Sequence, residues 1–425
     1  MTDIAPRHDS PLAKEVAKFC LAQVTTPQSR RASFPSSPLW AAAARTGTAL
    51  WLDTGDIDAA KELWTQEFAA LTTNNTLLNK EVQKGIYDQL VPAAATLLKK
   101  AAPEMPQDRL VQEIAFVLNA VHGLRLVRTF DADVSVELHT ATAHDIDAAY
   151  HYGKRFAAIC PDRFIVKVPL SPAGLLAARR LHDDGIRINF TLGFSARQNW
   201  LIASLAKPDW VNVFLGRINA FVADNKLGDG VNAGEKATLA SQRGLRRLRK
   251  EQGIAVKQIA ASMRNGQQCL DLLGLDTFTM PTAAAKEFLQ KNPAPSQLVD
   301  RTNNDPPVAF APSVDVAGER LDCFWTIPPG FVAAAAACAR LDPRQATADD
   351  VVKTLTAHGA GDLFPSFTAD EAARLTKEGK IPVHASWKAR VKAGSASWDG
   401  ILTAAALASF TQDQQALDDR IRRFV

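Results

Sequence analysis

The chain has 425 residues, of which 47% are hydrophobic and 22% charged, with a net charge of +4. This is the balance of a globular protein with room for one large domain and an addition, and the charge is too mild to argue for a nucleic-acid partner. Five scattered cysteines (Cys20, Cys160, Cys269, Cys323, Cys338) include no C-x-x-C pair, which argues against a disulfide framework or zinc site and for reduced thiols in a cytoplasmic protein. The N-terminus carries no apolar signal-like stretch. The longest plain apolar run, Phe331 to Ala339, is half a membrane span, so no membrane partner is expected.

In chain order, Leu12 to Val24 is amphipathic, and Gln28 to Pro38 is rich in Ser, Pro and Arg, as a linker is. A short helix is expected from Leu39 to Ala44. From residue 48, short apolar strands alternate with helical stretches. Eight strands are predicted: Ala49–Asp53, Ala69–Thr72, Val134–Leu138, Phe164–Val168, Ile186–Leu192, Trp210–Leu215, Val256–Ser262 and Leu275–Met280. Helices are expected between them, for example over Ala141–Cys160 and Gly174–Asp184. Repeated βα units imply parallel strands with right-handed crossovers, and eight of them fit an α/β fold of the (β/α)8 barrel type. An open doubly wound sheet is the alternative. Its Gly-rich phosphate turn would follow the first strand, where Asp53-Thr54-Gly55-Asp56 contains no G-x-G-x-x-G. The expected organisation is an N-terminal helical extension over 1–47, the barrel over 48–290, a linker or wrap over 291–320 and a helical region over 321–425. In that last region helices are predicted over Pro329–Leu341, Thr347–His358, Thr368–Glu378 and from Asp399 onward, with Thr347 and Thr368 as N-caps.

A barrel builds its active site where strands end in βα loops, so the residues there are the candidates. The run Phe164-Ile-Val-Lys167-Val-Pro169 places one lysine inside an apolar strand. Burial favours the uncharged amine, the nucleophile that forms a Schiff base with a ketone; the plain alternative is a lysine that snorkels or pairs with an acid. Other strand ends carry Asp53, Thr72-Thr73-Asn74, Glu137, Asn189 with Thr191, Arg217, and Ser262 with Arg264. Each alone has a dull explanation as a helix cap or a polar barrel layer. Together they put an amine, carboxylates, amides, a hydroxyl and two guanidiniums at one mouth. Two arginines match a phosphate, so the set points to Schiff-base chemistry on a phosphorylated sugar.

Read in order, Asp53-Thr-Gly-Asp-Ile57, Thr72-Thr-Asn74, Val134-Ser-Val-Glu137, Ile165-Val-Lys-Val-Pro169, Asn189-Phe-Thr-Leu192, Gly216-Arg-Ile218 and Ser262-Met-Arg-Asn265 resemble the transaldolase family, over about residues 40–290. The resemblance implies a TIM barrel and a class I aldol mechanism with no metal and no cofactor, on phosphorylated sugars; a monomer or homodimer is expected. Lys167 would be the nucleophile. Glu137, with Thr191 holding a water, would relay protons, and Asp53 would take the C4 hydroxyl proton. Asn74 and Asn189 would hold substrate hydroxyls, and Arg217, Arg264 and Ser262 the phosphate. There are two departures. Asn212-Val213 stands before Phe214 where the family usually has Ser-Pro, which puts the donor sugar in question, and Leu138-His139 follows the glutamate in place of Val-Asp. His139 reads as structural. His144 and His151 lack a third ligand and are not read as a metal site. The implied function is transfer of a dihydroxyacetone unit between sugar phosphates. The alternatives are a lyase-type fructose-6-phosphate aldolase, whose relatives tend to lack the glutamate, an enzyme for an unusual sugar, or a non-catalytic sugar-phosphate-binding scaffold.

Overall fold

The computed structural model describes residues 6–25 and 27–425. Eight parallel strands follow one another around a closed barrel, the first pairing with the last. They are β1 (Ala49–Asp53), β2 (Phe68–Thr72), β3 (Asp133–Glu137), β4 (Phe164–Pro169), β5 (Ile188–Thr191), β6 (Trp210–Phe214), β7 (Lys257–Ala261) and β8 (Thr277–Met280). All eight predicted strands are present, their ends displaced by no more than two residues. Closure rules out the open doubly wound sheet.

Alternation along the strands sets what faces where. Val136, Phe164, Val166 and Val168 point outward to the helices. The helix Gln107–Phe130 packs on this surface through Gly123, where a Cβ would come within 2.9 Å of both the Phe164 ring and Val136. Ile165 and Lys167 point into the barrel instead. Near its N-terminal end the barrel is filled by Trp51 and Trp210, whose rings lie edge-on at 5.0 Å. Polar groups therefore collect at the opposite mouth.

One helical expectation needs correction. The predicted helix Ala141–Cys160 is a 3-10 turn, Thr140–Thr142, followed by a separate helix, Ile146–Ile159. Asp145 starts that helix by accepting the Ala148 N–H at 2.9 Å, and this cap breaks the run. Gln107–Phe130 is long and apolar enough to cross a membrane, but nearly all of it is buried inside the protein, which makes it the central core helix of the barrel's outer layer.

Residues 291–320 lie along the barrel. Ala311 N–H donates to Leu227 O at 2.8 Å, and Arg246 donates to Thr302 Oγ1 at 2.6 Å. The C-terminal region holds the helices Pro329–Cys338, Ala348–Ala357, Ala369–Glu378, His384–Lys392 and Trp398–Arg422. Thr347 and Thr368 cap theirs with reciprocal bonds from Asp350 and Glu371, as the sequence predicts; His384–Lys392 has no counterpart among the predicted helices. The long helix Trp398–Arg422 runs across the barrel mouth. Its Asp399 receives Arg197 in a two-pronged pair at 2.8 Å on each oxygen, and Ser195 Oγ at 2.7 Å. Thr403 Oγ1 donates to Leu192 O at 2.9 Å. Further along, Asp418 meets His139, and Arg420 pairs with Asp88 at 2.7 Å.

Candidate active site

The strand register assembles the centre of the site. Lys167 on β4 pairs with Glu137 on β3 and with Asn189 on β5, so three polar side chains stand level on adjacent strands. Thr191, two residues beyond Asn189, shares its face. Lys167 Nζ donates to Thr73 O at 3.0 Å and lies 3.1 Å from Glu137 Oε2. Lys167 is 4% exposed and Glu137 1%. The Glu137 contact lies off the hydrogen-bond axis, so Oε2 has no aligned partner in the protein. Burial raises the Glu137 carboxyl above its ordinary range, and Lys167 pulls it partly back.

Asp53 ends β1 across the mouth. Thr72 Oγ1 donates to its Oδ1 at 2.7 Å, and Thr72 Oγ1 lies 2.6 Å from Thr279 Oγ1. With its own proton on Asp53, Thr72 must accept from Thr279, so a chain of two hydroxyls fixes the carboxyl. Its proton affinity is also raised by burial, against the pull of Lys167. Asn74 caps the helix Asn75–Gln83, its Oδ1 accepting the Leu77 N–H at 2.8 Å. The cap occupies the amide oxygen and leaves the NH2 to offer.

The cationic side is built at β6 and β7. Arg217 sits in the first turn of the helix Leu215–Asp224 that follows β6. The β7 loop passes close to Gly216, where a Cβ would lie 2.2 Å from Ser262 O and 2.8 Å from Arg264 Nε. Only glycine allows the two arginines to approach. Arg217 is 6% exposed and lies against the neighbouring rings of Phe214 and Phe410, 5.5 Å from each. Burial, with Arg264 as a second cause, lowers it to about 10. Among the described residues no acid lies within ion-pair distance of Arg217 or Arg264, and Arg217 Nη1 is buried without a partner. The same holds for Asn189 Oδ1, Thr191 Oγ1 and Asn212 Oδ1. Buried polar atoms are ordinarily satisfied, and this cluster of exceptions lies beside an unpaired guanidinium at one polar pocket.

Asp53, Asn74, Lys167, Asn189, Asn212, Arg217, Ser262 and Arg264 line one cavity of about 150 Å³; Glu137 and Thr191 are buried beside it. A larger groove of about 780 Å³ runs between the β3 and β4 loops and the C-terminal helices. Its lining is mostly apolar and includes none of the strand-end lysine, carboxylates or arginines. Thr279, Phe410 and Lys380 also line the smaller cavity and are absent from the sequence-based candidates. Thr279 is one more hydroxyl in a strand, and the other two lie in a region without motifs. His139 serves structure, accepting the Ala141 N–H at 3.1 Å and facing Asp418. His151 stacks on His8 at 5.3 Å, and His144 lines the large groove. Among the described residues no group of three or more His, Cys, Asp or Glu is placed to hold a metal ion.

The molecule is thus a TIM barrel with an enzyme-like site at the C-terminal mouth. The family model described as transaldolase/fructose-6-phosphate aldolase matches residues 50–313, and the chain belongs to that family. It is 34% identical over 245 residues to a probable transaldolase of Thermus thermophilus, covering 57% of this chain and 90% of that protein. It is 28% identical to the transaldolases of Vibrio parahaemolyticus and Haemophilus influenzae, covering 57% and 58% of this chain and 76% and 78% of theirs.

Proposed function

We propose that this protein is a transaldolase. It moves a dihydroxyacetone unit from sedoheptulose 7-phosphate or fructose 6-phosphate to glyceraldehyde 3-phosphate or erythrose 4-phosphate, in the cytoplasmic non-oxidative pentose phosphate pathway. The observation that carries this reading is the pairing of buried Lys167 with Glu137 at 3.1 Å, beside a cavity that also holds the unpaired Arg217. The Lys167 nitrogen adds to the ketose C2 carbonyl. Glu137 takes the proton that frees the Lys167 amine and returns it as the carbinolamine oxygen leaves as water, and Thr191 holds that water. Asp53 takes the proton from the C4 hydroxyl. The C3–C4 bond then breaks, its electrons pass into the Schiff base as an enamine, and an aldose phosphate departs. The enamine carbon adds to the acceptor aldehyde, Asp53 returns its proton to the new hydroxyl, and water releases the product from Lys167. Asn74 and Asn189 hold the hydroxyls of the three-carbon fragment, and Arg217, Arg264 and Ser262 hold the phosphate.

Glu137 favours transfer over a lyase. Asn212, buried with a free amide oxygen at the cavity, supports a second reading, a transaldolase whose donor differs from the usual ketoses. Borohydride reduction in the presence of fructose 6-phosphate should inactivate the enzyme and leave a reduced three-carbon unit on Lys167. Lys167→Ala should abolish both adduct and activity, and labelling of another lysine would overturn the mechanism.

A further inference from the structure

The family match ends at residue 313, yet two side chains from beyond it line the catalytic cavity, Lys380 and Phe410. We infer that the C-terminal region completes this active site, with Lys380 as a third cation for the substrate phosphate beside Arg217 and Arg264; the inference rests on the sugar-phosphate reading above. Lys380 lies in the turn between the helices Ala369–Glu378 and His384–Lys392. Gly379 ends the first helix at φ 75°, its N–H donating to Leu375 O at 3.1 Å. Beyond Lys380 the chain is pinned on both sides of one residue. Asn225 Nδ2 donates to Pro382 O at 3.0 Å, and His384 N–H donates to Asn225 Oδ1 at 2.7 Å. Asn225 closes the helix Leu215–Asp224, the helix that carries Arg217. The Lys380 turn and Arg217 are therefore held by one element.

The turn is braced from its other side as well. Glu378 Oε2 accepts the Val383 N–H at 3.0 Å and Trp387 Nε1 at 2.7 Å. Among the described residues no carboxylate pairs with Lys380, although acids neutralise many other surface lysines of this chain, such as Lys84, Lys154 and Lys388. The second contribution acts through Arg217. Phe410 packs beside Phe214, their ring centroids 6.4 Å apart, and both rings lie 5.5 Å from the Arg217 guanidinium; one turn on, Asp413 accepts a hydrogen bond from Thr76 Oγ1 in the first turn of the helix Asn75–Gln83. Phe410 is thus a positioning residue, and Lys380 is the group that meets the anion. A solvated mouth lysine with no ligand is the plain alternative.

The test uses the full chain with Lys380→Met, which keeps the stem and removes the charge, and Lys380→Arg, which restores it. For an exposed charge the expected effect is about a fivefold rise in KM for fructose 6-phosphate, with kcat changed less than about twofold. The inhibition constant of inorganic phosphate should rise by the same factor, and KM should lose part of its salt dependence. Lys380→Arg should behave like the unaltered protein. Trapping of unphosphorylated dihydroxyacetone on Lys167 by borohydride should need the same concentration in all three proteins. An unchanged KM and phosphate inhibition in Lys380→Met, or an equal loss with dihydroxyacetone, would overturn the inference. If the unaltered protein traps neither sugar, the transaldolase reading fails instead. Calorimetric binding of inorganic phosphate to the unaltered protein and to Lys380→Met then decides Lys380 by itself.

Discussion

Glu137 Oε2 lies 3.1 Å from Lys167 Nζ, with both side chains almost wholly inside the barrel. In the proposed mechanism one group gains a carbon and the other passes a proton at the same place. That proximity is useful only while a carboxylate is present. Burial raises the Glu137 and Asp53 carboxyls above their ordinary 4.5 and 3.8. The acid limb of kcat/KM should therefore fall at a pH above 4.5, as a property of the two carboxyls together. Glu137→Gln keeps the shape and removes the base, and should slow transfer about 10²- to 10⁴-fold, leaving a shifted limb set by Asp53. A pH–rate profile that is the same in both proteins would show that Glu137 takes no part.

The same carboxyl has a stability signature. A group whose folded value is raised favours its protonated form on folding. Its contribution is full below its ordinary value and is lost as pH climbs through the raised folded one. Gln imitates the protonated form at every pH. The melting temperature of Glu137→Gln minus that of the unaltered protein should grow as pH rises above 4.5. The slope carries the test, because loss of the partner of Lys167 adds a constant offset. A flat or falling difference would mean that desolvation does not dominate at Glu137.

Lys167 is legible in the sequence because a charge inside Phe164–Pro169 demands a reason, and alternation assigns it a face. Glu137 and Asp53 follow from their strand ends, since only the mouth of a parallel barrel collects such groups. Thr279 is not legible: its hydroxyl joins Asp53 through Thr72 only once β8 closes on β1. Lys380 and Phe410 give no local signal at all, since docking of distant helices brings them to the cavity. The helix Gln107–Phe130 escapes periodicity for another reason. It is buried on nearly every side and so shows no single apolar stripe.

Arg217 and Arg264 differ in burial, and their variants should differ too. Arg217 is a buried cation without an acid, so Arg217→Met should lose about 2–3 kcal/mol of transition-state binding for phosphorylated sugars, roughly 30- to 150-fold in kcat/KM. Arg264 is exposed, and Arg264→Ala should lose nearer ~1 kcal/mol, about fivefold. Folding lowers Arg217 to about 10, so its charge opposes folding at neutral pH and Arg217→Met should melt at a higher temperature. Equal kinetic losses on unphosphorylated sugars would make both arginines structural.

The ion pair of Arg197 with Asp399 is the anchor of the C-terminal region. Both are buried, and Asp362 adds a second acid at 3.4 Å. Burial alone would raise the Asp399 carboxyl, but the charge and hydrogen bonds of Arg197 outweigh it and hold Asp399 below its ordinary range. Asp399→Ala leaves a buried guanidinium short of its main partner and should cost about 3–5 kcal/mol of stability, read from denaturant midpoints. A chain ending near Lys291 should be insoluble, because the helix Pro329–Cys338 packs on Ala196–Leu205 and its removal uncovers that face. A soluble, active truncated chain would refute the docking described here.

The last prediction separates transferase from lyase. In the proposed mechanism the enamine left on Lys167 by C3–C4 cleavage has two fates: protonation at carbon followed by hydrolysis, or addition to an aldehyde. Glu137 is close enough to Lys167 to serve carbinolamine formation and its reversal. Asp53 stands across the mouth, held by the Thr72–Thr279 hydroxyls, and is the group the proposed mechanism assigns to the C4 proton. In this reading neither group is assigned to protonate the enamine carbon, so the enamine should wait. Fructose 6-phosphate alone should release little free dihydroxyacetone, and turnover should begin when erythrose 4-phosphate is added. A coupled assay for dihydroxyacetone, run with and without the acceptor, makes the comparison. Release at the transfer rate without any acceptor would make this protein a lyase and return the assignment to the aldolase side of the family.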